Sequence, residues 1–133
     1  MPQTVTPYLL YEDATAAVEW LTAAFGFREV NRIALDDGSV NHAELDVGDG
    51  SIVYLGQPPG EGFRNPKHVG QTCLVYVYVG DVDAHCARAR EAGATIVEEL
   101  NDQEYGDRRY TADDPEGHQW CFATPIRGGE SPG

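Results

Sequence analysis

The sequence predicts an α+β fold: two tandem βαβββ modules forming a curled mixed sheet with a cleft, with helices on its outer face. Three observations predict it. The chain repeats itself once at a spacing of 67 or 68 positions, so that Asp13 maps on Asp81, Gly26 on Gly93 and Gly50 on Gly117. Each copy carries one helical apolar stripe, Val18, Leu21 and Phe25 in the first and Val82, Cys86 and Ala89 in the second. Around each stripe lie runs with the alternation of half-buried strands.

Taken in order, Val5 to Tyr11 reads as a strand, and Glu12-Asp13 opens a helix through Phe25. Gly26 then ends the helix and Phe27 to Val30 starts a new extended run. Asp13 suits an N-cap, because its carboxylate accepts free amide hydrogens of the first turn. A glycine just past the helix end suits the left-handed conformation found there. Val40 to Val47 and Ser51 to Leu55 follow as strands joined through Gly48-Asp49-Gly50. A Pro/Gly-rich connector, Gln57 to Gly70, leads to the second copy. There Cys73 to Val79 is a strand, Gly80-Asp81 opens a helix through Ala92, and Gly93 ends it. Ala94 to Val97, Arg108 to Asp113 and His118 to Ala123 are the remaining strands. Residues 1–126 are expected to be one domain, with module one at about 4–57 and module two at about 71–125; 127–133 is expected to be a flexible tail.

Composition narrows the function classes. The 133 residues are 41% hydrophobic and 23% charged, which fits one globular domain. Nine Lys and Arg against 22 Asp and Glu give a net charge of −13, which disfavours nucleic acid and anionic membranes as partners. Three cysteines without a CxxC motif, and an N-terminus lacking a signal-peptide pattern, lead us to expect a cytoplasmic protein.

Strand alternation sorts the side chains. Cys73, Val75, Val77, Val79, Ala43, Leu45, Val47, Trp120 and Phe122 are expected in the core. The opposite face, expected to line the cleft, takes Thr6, Tyr8, Leu10, His42, Glu44, Ile52, Tyr54, Leu74, Tyr76, Tyr78, Arg109, Thr111, Gln119 and Cys121. A lining with four tyrosines suits stacking on planar ligands, with hydrogen bonds at the rim. His42 and Glu44, two apart on one strand face, are expected to form a polar pair with Arg109, and are the candidates for acid–base catalysis or for holding a metal with outside help. An inward arginine could clamp a carboxylate or phenolate, whereas Arg108 is expected to pair with Asp107, Asp113 or Asp114. His85 is expected to be solvated on its helix, and His118 to lie at a surface or interface. Cys121 is expected to be inertly buried, and Trp20 to contribute to binding only if reachable.

The run Tyr105-Gly-Asp-Arg-Arg-Tyr-Thr-Ala-Asp-Asp-Pro-Glu-Gly-His-Gln-Trp120, with its DPEG turn between two strands behind a duplicated unit, resembles the glyoxalase/bleomycin-resistance/dioxygenase (vicinal-oxygen-chelate) superfamily. Val5-Thr-Pro-Tyr-Leu9 and His42-Ala-Glu-Leu45 are most similar to its PhnB-like subgroup. The resemblance implies paired βαβββ modules and commonly a homodimer. It also implies that enzymes of the family hold a divalent metal with one side chain from the first and last strand of each module. Here those positions read Thr6, Tyr54, Leu74 and Cys121, which is not such a ligand set, so no metal and no cofactor is expected. The expected function is therefore metal-independent binding of a small, aromatic or polycyclic antibiotic or metabolite. The alternatives are a lyase, isomerase or dioxygenase-like enzyme using a divalent metal or the His42/Glu44 pair, and an interaction module with a closed cleft. Candidate ligand-binding residues are Tyr8, His42, Glu44, Tyr54, Leu74, Tyr76, Tyr78, Arg109 and Cys121.

Overall fold

The computed structural model describes residues 3–57 and 66–126; the tail expected over 127–133 and most of the Pro/Gly connector lie outside the described residues. Module one runs β1 (Tyr8–Leu10), α1 (Ala14–Phe25), β2 (Arg28–Ala34), β3 (Val40–Gly48) and β4 (Ser51–Gly56). A four-residue helix, α2 (Pro66–Val69), precedes module two: β5 (Leu74–Tyr78), α3 (Val82–Glu91), β6 (Thr95–Asp102), β7 (Asp107–Asp113) and β8 (Gln119–Pro125). The mixed sheet consists of two four-stranded sheets, β1-β4-β3-β2 and β5-β8-β7-β6. In each, the first and last strands of the module pair in parallel and the other neighbours are antiparallel.

Local chemistry sets these boundaries. The Asp13 and Asp81 carboxylates accept from the amides of Ala16 and Ala84, capping α1 and α3. Gly26 closes α1 at φ 74°, a left-handed geometry that costs an L-residue strain. Strand β1 is shorter than the predicted Val5–Tyr11. Pro7 has no N–H to give, although its carbonyl still accepts from Tyr54 N at 2.9 Å. Strands β6 and β7 are longer than predicted, running to Asp102 and beginning at Asp107.

One core serves both modules. Leu9, Ala43, Leu45, Val53 and Leu55 from the first sheet and Val77, Tyr110, Ala112, Trp120 and Phe122 from the second are buried in a single cluster with the α1 and α3 stripes. Phe25, at the end of α1, lies across the module boundary, with ring centroids 4.6 Å from Phe122 and 5.8 Å from Trp120. His85 corrects the solvated expectation. It stacks on Phe25, its Nδ1 lies 2.6 Å from the Tyr110 hydroxyl, and its Nε2 lies 3.0 Å from the Phe25 carbonyl. The helix faces its sister helix at this point, a tertiary contact that a single-helix reading does not contain.

The DPEG turn locks the modules together. One Asp114 oxygen accepts from the amides of Glu116 and His118, and the other from the Tyr11 hydroxyl at 2.5 Å and the Trp120 indole. Glu116 accepts from the amides of Glu12 and Asp13 at the head of α1. His118, half-buried, donates through Nε2 to the Leu10 carbonyl at 2.8 Å. Burial raises the Asp114 carboxyl above its ordinary value despite these donors. The motif therefore does structural work at the joint between the modules.

Candidate functional site

The face of each sheet turned away from the shared core carries the residues expected to line a cleft. They form two clusters, one per sheet, with no hydrogen bond, ion pair or ring contact between them among the described residues.

On the first sheet, the register sets Tyr8 and Glu44 on either side of Tyr54. The Tyr8 hydroxyl lies 3.0 Å from His42 Nδ1, and His42 Nε2 lies 3.0 Å from Glu44. A carboxylate only accepts, so a neutral His42 donates from Nε2 and leaves Nδ1 to accept the Tyr8 proton. The result is a Tyr–His–Glu relay. Tyr54 closes it edge-on, with ring centroids 5.7 Å from Tyr8 and 5.0 Å from His42. Gly56 leaves room for the Tyr8 phenol: a Cβ there would stand 2.6 Å from its hydroxyl oxygen.

On the second sheet, Tyr76 and Tyr78 project from β5 with centroids 5.5 Å apart, and both hydroxyls donate to the same oxygen of Asp107, at 2.7 and 2.8 Å. Asp107 is fully buried, and its other oxygen has no partner among the described residues. The Tyr76 hydroxyl also meets that of Tyr105, which accepts from Arg109. Arg109 makes a two-pronged pair with Glu98 at 3.0 and 3.1 Å, and Thr111 donates to the same carboxylate. Burial pushes the Glu98 carboxyl up, but the bonds from Arg109 and Thr111 outweigh it and hold it below its ordinary value. Burial and the bonds to Tyr105 and Asp107 raise the Tyr76 phenol. The bond to Asp107 and burial do the same for Tyr78. Cys121, opposite both Tyr76 and Thr111 in the register, is 1% exposed and its thiol is raised by burial, as befits an inert group.

Several sequence expectations change here. The Arg109 charge is matched by Glu98, so this residue is no free carboxylate clamp, and it lies apart from His42 and Glu44. Arg108 pairs with Asp83 and Asp102, not with Asp107, Asp113 or Asp114, because its side chain lies on the helix-facing side of β7 and reaches α3. Leu74 is on the expected face and 45% exposed, offering only apolar contact. Trp20 is half-buried on α1, donates to the Ala92 carbonyl and lines a cavity of about 370 Å³ between α1 and the DPEG turn. It is not among the tyrosines. Sequence reading missed Asp107, Glu98 and Tyr105. Asp107 shares strand parity with Arg109 and Thr111, a signal lost by starting that strand one residue late. A cleft of about 330 Å³ runs beside Tyr76 and Tyr78, bounded by Pro7, Val47, Asp49 and Ile52 of module one.

The family's metal positions do not gather donors. Leu74 has no side-chain lone pair, and Cys121 is 1% exposed with its thiol raised by burial. Among the described residues, no three His, Cys, Asp or Glu side chains are placed to hold a metal ion. The residues present do not fit a glyoxalase-type metal centre.

Comparison with known proteins places the chain. The model of the Glyoxalase/Bleomycin resistance protein/Dioxygenase superfamily matches residues 3–122. An uncharacterized protein of Mycobacterium bovis is 35% identical over 127 residues, covering 92% of this chain and 84% of its own. The crystal structure of TioX from Micromonospora sp. ML1 superposes with a TM-score of 0.75 at 38% identity, covering 94% of this chain and all of that one. TnmS3, an antibiotic binding protein from Streptomyces sp. CB03234, shares the fold at 19% identity, with a TM-score of 0.68 over 95% and 99% of the two chains. With the duplicated βαβββ unit, the DPEG joint and a family match over nearly its whole length, the chain belongs to the glyoxalase/bleomycin resistance protein/dioxygenase superfamily.

Proposed function

We propose that the protein binds a small planar aromatic molecule, an antibiotic or metabolite, and sequesters it without a metal. One observation carries this reading. Tyr8, Tyr76, Tyr78 and Tyr105 expose 36–54% of their surface, yet every one of their hydroxyls is pinned by a hydrogen bond to a neighbour. Rings exposed to solvent and held in place form a preorganised stacking wall, since the ordering cost is met before a ligand arrives. That TnmS3 binds an antibiotic on the same fold supports the choice of ligand class. Because the two tyrosine clusters stand on separate sheets, we place the complete site between two copies, the first sheet of one chain facing the second sheet of its partner. A cytoplasmic setting suits the three unpaired cysteines.

The test is a fluorescence titration with planar aromatic compounds against Tyr8→Ala, Tyr54→Ala, Tyr76→Ala and Tyr78→Ala. Each exposed ring that stacks on the ligand loses roughly 1 kcal/mol of binding, about fivefold in Kd. Unchanged affinity in all four variants sinks the proposal.

The Tyr8–His42–Glu44 relay favours a second reading, metal-free acid–base catalysis. In it Glu44 fixes the imidazole tautomer and His42 takes the Tyr8 proton as that phenol acts on a substrate. Turnover abolished by His42→Ala with binding retained would put this reading first.

A further inference from the structure

We infer that the second-sheet face selects planar aromatic cations: ligands whose fused rings carry an ammonium, amidine or protonated ring nitrogen. The inference rests on the small-molecule reading above and adds the charge of the ligand.

Hydrogen-bond direction leads there. Arg109 donates to Tyr105. Tyr76 donates to Asp107, so at the Tyr76–Tyr105 contact Tyr105 is the donor. Tyr78 also donates to Asp107. The protons of all three phenols thus point inward along a chain that ends on one carboxylate, and each bond in such a chain polarises the next. What the phenols turn outward is lone pairs and the negative faces of their rings. A ligand meeting Tyr78 finds an acceptor, and a cation over either ring is drawn by its quadrupole.

Charge points the same way. Asp107 is fully buried, and among the described residues it makes no ion pair and its second oxygen has no partner. A buried carboxylate without a counter-charge is costly, and a cation held over the phenols that shield it recovers part of that cost. The nearby positive charge does not serve, because Arg109 is already matched by Glu98 in a two-pronged pair. The same pair removes the cation that an anionic ligand would need. Beside the tyrosines the 330 Å³ cleft leaves space for a fused-ring system, with Asp49 at its rim.

The experiment compares two fused three-ring probes of opposite charge, 9-aminoacridine as the cation and anthracene-9-carboxylate as the anion, by fluorescence titration near neutral pH. The cation is expected to bind about 10-fold or more tightly than the anion, the factor carried by one charge-assisted contact. Asp107→Asn, close to isosteric, should erase most of that preference. Glu98→Gln, which leaves Arg109 unmatched on a half-exposed surface and spares the buried cluster, should raise anion affinity severalfold. Should Asp107→Asn not fold, the native preference and the Glu98→Gln arm decide. Equal or tighter anion binding that still depends on Tyr76 and Tyr78 overturns the charge selectivity and leaves the small-molecule reading standing. If neither probe binds, both fall. A cation preference that disappears at about 0.3 M salt and survives Asp107→Asn reflects only the net charge of −13, and also overturns the inference.

Discussion

The two sheets are built from one repeated unit, yet their outward faces do opposite things with their polar groups. On the first, the relay of Tyr8, His42 and Glu44 lies at the surface, its members half-buried or exposed: it starts from an exposed phenol and ends on a half-buried carboxylate. On the second, the polar chain ends inside, on a carboxylate closed off from solvent by two tyrosines. Position by position, His42 corresponds to Arg109, Glu44 to Thr111, Tyr54 to Cys121 and Thr6 to Leu74. The caps Asp13 and Asp81 carry the same residue in both copies, as do the terminating glycines. Duplication therefore preserves what forms the backbone, while the face left free of the core takes on different chemistry in each copy. In the proposed readings the first face would move a proton and the second would hold a charge.

The largest expected effect breaks the idea that the faces rest on a common support. Phe25→Ala removes a ring that joins both modules and should cost roughly 3–5 kcal/mol, lowering the midpoint of a single cooperative unfolding transition. Two separate transitions in denaturant would mean that the modules are independent units.

Next is pH. Burial lowers His85 to about 4, below the ordinary histidine value near 6.5. Above pH 6.5 the residue is neutral in both folded and unfolded chains and its contribution is complete. As pH falls from there toward 4, the unfolded chain binds a proton that the folded chain refuses, and stability drops by roughly 3 kcal/mol over the window. Denaturant melts across that range should show this slope, and His85→Gln should flatten it; an unchanged slope would remove His85 from the shared core.

Smaller again are the conservative changes that set one face against the other. Tyr78→Phe takes a donor from the buried Asp107 and should cost about 1–3 kcal/mol of stability as well as ligand affinity. Tyr8→Phe takes a donor from a half-buried histidine that water can still reach, and should cost about 1 kcal/mol or less. Thermal unfolding of the two variants side by side measures the contrast. Equal losses would show that the buried carboxylate is no different from the open relay. The smallest effect is that of Glu44→Gln: stability changes by a few tenths of a kcal/mol at most, while any turnover that depends on the His42 tautomer disappears.

Much of this was legible in the residues. The repeat, both helix caps, the apolar stripes and the split of each strand into a core side and a free side all follow from local chemistry and period. Leu45, Val77, Trp120 and Phe122 are buried as alternation requires, and Tyr76 and Tyr78 are not. What stayed hidden depends on partners distant in the chain. Asp107 meets tyrosines about thirty positions earlier, and Glu98 lies just beyond the stretch of β6 that pattern alone picks out. His85 sits next to its helix's apolar stripe, and its burial comes from Phe122 and Tyr110 of its own sheet together with Phe25 from the other module. Arg108 and Arg109 are neighbours with separate carboxylate partners, Asp83 on α3 and Asp102 on β6 for Arg108 and Glu98 on β6 for Arg109, which sequence proximity does not disclose.

Native mass spectrometry of freshly purified protein separates metal-free sequestration from metal chemistry, since one spectrum reports copies, metal and bound organic mass. The expected spectrum shows a two-chain species that carries or takes up a planar aromatic molecule and holds no stoichiometric divalent metal. A divalent ion retained at one per chain would contradict it, and would move the enzyme reading ahead of sequestration.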